Sequence, residues 1–383
     1  MPNVLTDLAA DIYKAADIVG REIVGFIPSS TINAGTEGAA IGQPVRSHFT
    51  RQAAAANISP SMTIPEGTDQ TVDNKTLTMT KQRGVPIPWT GEDIKYVNGG
   101  SGFETIYGDQ IAQAMRTLTN EIEADLAVEA YRNASRAVGA AGTTPFGSDY
   151  KVVAEARQIL VDNGMPVNDG RLSMVINSIA GTNLRNLAKL QDVNTSGNDT
   201  LLRQGVLLPL QGVMIKESAQ NQAHTKGTAT GLDAAGGESV GETNIALDGG
   251  DGGTLLPGDV VTFAGDTVNK YVVNTGFTAA AGTAIIGGPG MRNALGDGVE
   301  MTIGNSYTAN VLFHQSAIEL AMRPPAKPVG GDAAVDVMMV QDPHSGLVFE
   351  ISVYKGFNKM MIFVGAVWGV KAWKPDAIAL VMG

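Results

Sequence analysis

Residues 102–135 read GFETIYGDQIAQAMRTLTNEIEADLAVEAYRNAS, and their periodicity sets the scale of the fold. Ile106, Ile111, Met115, Leu118, Ile122, Leu126 and Tyr131 recur at mostly three- and four-residue spacing, which is one face of an α-helix. Arg116, Asn120, Glu123 and Arg132 fall on the opposite face, and no Pro or Gly interrupts the pattern after Gly108. At 1.5 Å per residue, roughly 30 residues make a rod about 45 Å long, enough to span a small domain. The Gly- and Ala-rich turn at residues 139–142 ends it.

Upstream, Asn3–Gly20 has a helical period, with Val4, Leu8, Ile12, Ala15, Ala16 and Val19 on one face. Pro28, Ser29 and Ser30 break the chain, and residues 31–63 are rich in small and hydroxyl side chains. Extended segments follow around Gln43–Phe49 and Thr71–Pro88, so Gly42–Thr90 reads as a long two-stranded loop with few core residues. A loop of that length reaches for another molecule.

Downstream, Tyr150–Asn163 is an amphipathic helix ending at Gly164, a left-handed cap. Arg171–Asn177 alternates as a strand, Ile179–Leu190 reads as a helix, and Leu201–Pro209 and Val213–Ile215 are apolar. Composition then shifts. Asn221–Asn310 holds 19 of the 47 Gly, with nine acidic and three basic residues. Short β-like runs recur there at Asn244–Leu247, Asp259–Ala264, Lys270–Asn274, Thr283–Ile286 and Val299–Ile303, separated by turns, as in a small barrel or sandwich. Helical and mixed patterns resume at Ala309–Met322, so the stretch reads as a domain inserted into another. Asp336–Val340 and Leu347–Tyr354 form a hairpin across residues 341–346, and Lys359–Val370 and Ala377–Met382 are buried strands.

The chain has 383 residues and a net charge of −11, with 17% charged and 5% aromatic residues. That length supports two or three modest domains. An acidic chain with no basic run is a poor nucleic-acid reader, because phosphate neutralisation needs clustered Lys and Arg. Cysteine is absent, which excludes disulfides, thiolate metal sites and cysteine nucleophiles. No secretory signal is visible at Met1–Ala10. The longest apolar run, Met360–Val370, is about half the ~20 residues of a membrane span. The expectation is a soluble chain made in a cytoplasm.

Catalytic motifs are missing. His48, His224, His314 and His344 are scattered, without metal-ligand spacing. Asp342 and His344 fit a satisfied hairpin turn better than a dyad, and Asp248-Gly-Gly-Asp-Gly-Gly fits a turn better than a calcium repeat. There is no phosphate loop and no nucleophile elbow. Glu121 and Asp125 fit the solvated side of the long helix. Met338-Met339 and Met360-Met361 suit core filling or subunit packing. Arg46, Arg51, Lys81 and Arg83 lie in the long loop, which has few acids of its own. They are candidates for charge pairing with an acidic surface of another copy.

The order of parts resembles the major capsid (coat) proteins of tailed bacteriophages, which share the HK-ninety-seven-type fold. Within them it is similar to the P-twenty-two-type coat proteins, which carry an extra β-barrel insertion. Lys216-Glu-Ser leads through Thr225-Lys-Gly-Thr-Ala-Thr-Gly231 into that insertion, and Pro257-Gly-Asp-Val-Val-Thr-Phe-Ala-Gly265 sits inside it. Asn310-Val-Leu-Phe-His-Gln-Ser-Ala-Ile-Glu-Leu-Ala-Met-Arg-Pro324 follows it, and Ala366-Val-Trp-Gly-Val-Lys-Ala-Trp-Lys-Pro-Asp-Ala-Ile378 closes the chain.

The resemblance implies an α+β chain with residues 1–42 as an N-terminal arm and 43–90 as an extended loop overlapping a neighbour. Residues 91–141 and 335–363 would form a peripheral domain with the long helix as spine. Residues 142–220, 309–330 and 364–383 would form an axial domain, and 221–308 the inserted barrel. The long charged loop of P-twenty-two-type insertions corresponds here to Ala234–Glu242, which is short and Gly-rich. The implied function is an icosahedral shell of hexamers and pentamers around double-stranded DNA, held without sequence-specific binding. It would be assembled in a bacterial host cytoplasm with a scaffolding protein and a portal, and without cofactor, metal or membrane. The alternatives are an encapsulin-like bacterial compartment shell, which would hold a cargo enzyme, and a β-rich phage tail or surface binding module.

Overall fold

The computed structural model describes residues 21–50, 59–62, 72–97, 103–191, 204–207 and 209–383. The helical reading of Asn3–Gly20 and residues 201–203 and 208 of the Leu201–Pro209 run lie outside the described residues, as does Arg51.

The long helix forms over Phe103–Arg132. Ile111, Met115, Leu118, Ile122 and Leu126 are all buried along one stripe, the face that the spacing identifies. Two sheets meet that stripe. A six-stranded sheet runs in the order Thr31–Ala34, Ile318–Arg323, Lys359–Ala372, Val348–Gly356, Ala334–Gln341. Its sixth strand, Lys81–Thr90, pairs with Lys359–Trp368 along the other side of that 14-residue strand. A single core cluster joins the helix to this sheet through Trp89, Ile351, Ile362, Val364 and Trp368, and to the second sheet through Phe313, Ile378 and Leu380.

The second sheet has twelve strands. Its main path runs from Met214–Glu217 through Leu172–Ile176, Tyr307–His314, Ile378–Met382 and Arg136–Gly139 into Asp266–Thr275, Gly282–Ile286, Asn244–Asp248 and Asp233–Ala234. Behind its first half lie helices Lys151–Asp162 and Ser178–Arg185, sealed by a second cluster around Leu160, Met174, Leu184 and Val381. Gly164 takes φ +79°, the left-handed cap that its position after the helix predicts.

The β-rich stretch has a core of its own, built from Leu232, Ile245, Leu247, Val261, Phe263, Tyr271, Val273, Ile286 and Met301. Its sheet nevertheless continues into the main one. Lys270 and Tyr271 pair antiparallel with Ala137 and Arg136, and the same short strand pairs in parallel with Ala379–Met382. The Gly-rich segment 234–242 is tied down rather than free: Glu238 and Leu295 exchange both backbone bonds, and the Gly241 amide donates to Met291.

Three readings are corrected. Ala309–Met322 is two strands, Tyr307–His314 and Ile318–Arg323, buried on both faces. Asn310, His314 and Glu319 are buried along with the apolar positions, so polar residues here do not mark a solvent face. The helix read over Ile179–Leu190 breaks at Asn186 into Ser178–Arg185 and Ala188–Gln191. The two-stranded pairing in the long loop covers Pro44–Thr50 with Val72–Thr78, while Lys81–Thr90 belongs to the six-stranded sheet. At the base of this ribbon Leu77 and Met79 are fully buried against Ala39, Ala321 and Val367.

Candidate assembly site

The densest polar constellation fixes the start of the described chain to the spine helix. Phe26 is the N-cap of a short 3-10 helix, Ile27–Ser29, with Pro28 in its first turn and no side-chain cap of its own. The exposed amides of such a start need acceptors. Glu123, fully buried on the spine helix, provides them. Its Oε1 accepts from the amides of Gly25 at 2.6 Å and Phe26 at 2.8 Å, and its Oε2 accepts from Ile27 at 2.9 Å. The Ser218 hydroxyl donates to the same carboxylate at 2.8 Å. The negative charge also sits favourably at a helix N-terminus. Lys216 Nζ donates to Ser29 Oγ at 2.9 Å, and burial pushes its pKa down while Glu123 opposes the shift. Phe26 stacks on Phe313 with centroids 6.0 Å apart.

One turn upstream, Arg21 donates to both Asp342 oxygens at 3.1 and 2.8 Å and to Thr119 Oγ1 at 3.1 Å. Burial pushes the Asp342 carboxyl up, but the Ser345 hydroxyl and Arg21 outweigh it, leaving it below its ordinary value. Glu22 pairs with Arg116 and accepts from Asn120 at 2.7 Å, and the Arg116 contact holds its pKa down at about 2. The His344 ring reaches the Glu22 carbonyl at 2.9 Å. Asp342 and His344 thus form a hairpin turn with an added task, holding Arg21 and Glu22. The sequence reading set Glu123 on the face opposite the apolar stripe and gave it no role.

Of the four loop cations, Arg51 lies outside the described residues, Lys81 and Arg83 meet at Glu121, and Arg46 stands apart from them. Arg46 is exposed on the ribbon, opposite Thr76. Lys81 bonds Asp125 at 2.8 Å and Glu121 at 3.3 Å, and Arg83 bonds Glu121 at 3.1 Å, all within one chain. Glu121 and Asp125 are therefore engaged rather than solvated, and Asp125 also accepts from the Trp368 indole at 2.9 Å.

A second buried group joins the β-rich region to the spine. His224 Nε2 lies 2.8 Å from Asp259 Oδ1, between the rings of Tyr131 and Tyr307. Asp259 also accepts from the amides of Gly227 and Leu256, and Tyr307 donates to the Gly258 carbonyl. The pair is buried, an arrangement suited to fastening two loops.

Apolar surface concentrates on the six-stranded sheet. Ala334–Gln341 is its edge strand, and Val335, Val337, Met338 and Met339 are exposed there. Of the two roles read for Met338-Met339, core filling is not taken up, and subunit packing stays a proposal. Asp336 is the strand's only charge, so this edge lacks the lysines and prolines that blunt most edges. On the face away from the spine helix, Met361 is exposed and the Phe363 ring lies across two glycines. A Cβ built on Gly84 would stand 2.0 Å from that ring, and one on Gly365 would stand 2.6 Å away.

No family model and no curated protein sequence matches the chain. Among solved structures, the capsid structure of cyanophage P-SCSP1u is similar over 100% of this chain and 92% of its own, with a TM-score of 0.51 and 10% identity. The chain has a phage-capsid fold. A chain from Mycobacterium phage Che8 covers 100% of this one at TM-score 0.48 and 13% identity, with 96% of its own length matched. A virus-like particle from Pyrococcus furiosus covers 97% at TM-score 0.43 and 8% identity, with 95% of its own length matched. Within this fold, Glu123 fastens the Gly25–Ile27 backbone to the long helix.

Proposed function

We propose that this chain is the major capsid protein of a tailed double-stranded DNA bacteriophage, building hexamers and pentamers that close into an icosahedral shell. The observation that carries the reading is a capsid fold extending over the whole chain. It is supported by a ribbon that projects from a firmly buried base and by an apolar sheet edge that has no cover among the described residues. Many modest contacts of this kind add up across a closed shell. The functional surfaces are mechanical: within this reading Arg46 and Arg51 meet an acidic surface of a neighbouring copy, while Lys81 and Arg83 brace the ribbon's own subunit. The domain divisions at residues 42, 90, 141, 220, 308, 330 and 363 belong to the same proposal, as do the scaffolding and portal partners and assembly in a host cytoplasm. Net negative charge suits a container that encloses DNA without gripping it.

The test is expression of the chain with and without its genomic neighbours, followed by velocity sedimentation and analysis of the particle contents. Fast-sedimenting particles that form or become uniform with a neighbouring scaffold support the phage reading. Particles that co-purify one host-encoded enzyme bearing a cargo peptide move the assignment to a bacterial compartment shell.

A further inference from the structure

We infer that the cavity between helix Lys151–Asp162 and strands Arg136–Gly139 and Asp266–Thr275 binds a phosphate group, free or carried on a small ester. The inference concerns one chain and stands whether or not shells form.

Three observations carry it. The first is the space. The three elements surround a cavity of about 270 Å3, lined by Arg136, Gly139, Glu155, Asp162, Asn269 and Lys270. Gln158 and Val268 also line it and are exposed, so it opens to solvent. Sites for drug-sized ligands run from roughly 300 to 1,000 Å3, so this one suits a smaller molecule.

The second is charge. The acidic stretch Asn221–Asn310 has only three basic residues, Lys226, Lys270 and Arg292, and two of them come here. Lys270 lines the cavity, and Arg292 stands beside it, its Nη1 donating to the Asp162 carbonyl at 3.5 Å. Arg136 joins them from the strand that precedes the insertion. Two acids oppose these three cations. Glu155 is paired with Lys151 at 2.6 Å. Asp162 Oδ2 lies 3.7 Å from Arg136 Nη2, beyond hydrogen-bond reach. Positive charge is left over.

The third is the state of Arg136, which is only 6% exposed. Its guanidinium donates to neutral acceptors: Asn269 Oδ1 at 3.1 Å, Asn163 Oδ1 at 3.2 Å and the Ile159 carbonyl at 3.5 Å. Its Nε has no acceptor among the described residues. Burial holds its pKa below the ordinary value, and the nearby Arg292 charge adds to that. A buried cation held by neutral groups lacks a counter-charge. An oxyanion supplies one, and the planar guanidinium fork matches the oxygens of a phosphate. Lys270 spends one of its three donors on the Gly139 carbonyl and keeps the others for the same ligand.

The test is isothermal titration calorimetry of the purified full chain with inorganic phosphate, and separately with glycerol phosphate, at an ionic strength held constant with chloride. The expected result is saturable one-to-one binding with a Kd of about 1 mM or tighter. Tighter binding of glycerol phosphate assigns the site to an ester, and equal or weaker binding assigns it to free phosphate. The Lys270→Gln/Arg292→Gln double variant, with circular dichroism matching the parent, should bind about tenfold more weakly or not at all. Arg136→Lys keeps the charge but loses the fork, and should also weaken binding. If that variant fails to fold, the double variant decides alone. A second reading is thermal: phosphate should raise the melting temperature of the parent and not of the double variant. No saturable heat with either probe, or equal affinity in parent and double variant, would overturn the inference.

Discussion

The carboxylate of Glu123 stands 2.8 Å from the backbone amide of Phe26, although the two residues are 97 positions apart in sequence. With the Gly25 and Ile27 amides on the same group, a mid-helix side chain caps a helix it does not belong to. This relationship fastens the Gly25–Ile27 segment to the long helix. Hydrogen bonds to a charged group in a buried site are the strong kind.

Glu123→Ala should therefore lower unfolding free energy by about 3 kcal/mol, since it strands three buried amides and a hydroxyl. Glu123→Gln should cost less but still destabilise, because its NH2 group cannot accept. Ser218→Ala, which leaves the Gly25, Phe26 and Ile27 amides satisfied, should cost about 1 kcal/mol. Urea titrations followed by tryptophan fluorescence check the order. Equal effects of the Ala and Ser218 variants would contradict the capping role.

Arg21 and Asp342 form an ion pair whose side chains are 6% and 0% exposed. Arg21→Ala leaves the Asp342 charge buried and should cost about 3 kcal/mol. Because the two groups touch, a double-mutant cycle with Asp342→Asn should show a coupling of about 1–3 kcal/mol. Proteolysis should also cut first near residue 21 in the Arg21→Ala chain.

Acid should loosen the Arg21–Glu22 contacts with the long helix and the 341–346 turn. The Glu22 pKa falls from an ordinary 4.5 to about 2 beside Arg116, and Asp342 is lowered as well. A depressed carboxylate contributes stability that is fully present above its unfolded-state value and lost as pH falls through its folded value. The Glu22 contribution should thus persist at pH 5 and disappear between about pH 4.5 and pH 2. Thermal melts across that range should show a smaller acid loss in Glu22→Gln than in the parent.

Gly84 is occupied by the Phe363 ring, whose Cζ would lie 2.0 Å from an added Cβ. Gly84→Ala should destabilise by about 1–3 kcal/mol, as overpacking does. Pairing it with Phe363→Leu should restore part of that loss, and the double variant's melting temperature tests the explanation.

The spine helix, the 334–356 hairpin and the C-terminal strands were legible because each follows one periodicity or one turn signal. Ile111 to Leu126 are buried as their spacing implies. Glu123 was not legible, because a carboxylate beside an apolar stripe looks solvated unless its remote amides are known. Pro28 announced a helix start, but nothing in the sequence says that its cap lies on another helix. Lys81 and Arg83 read as free cations for a similar reason, since Glu121 and Asp125 approach them only once the sheet packs on the spine. Tyr307–His314 alternates Tyr, Ala, Val and Phe with Thr, Asn, Leu and His, but the structure buries both faces, Asn310 and His314 included, which local pattern does not show. The junction of Tyr271 with Arg136 likewise depends on sheet order, which local patterns do not encode.

The central claim is that copies of this chain close into shells, and negative-stain electron microscopy of the purified chain, with and without its genomic neighbours, tests it most directly. The account predicts closed particles of uniform diameter, either spontaneously or when a scaffold is supplied. Monomers or short open tubes under both conditions would contradict it.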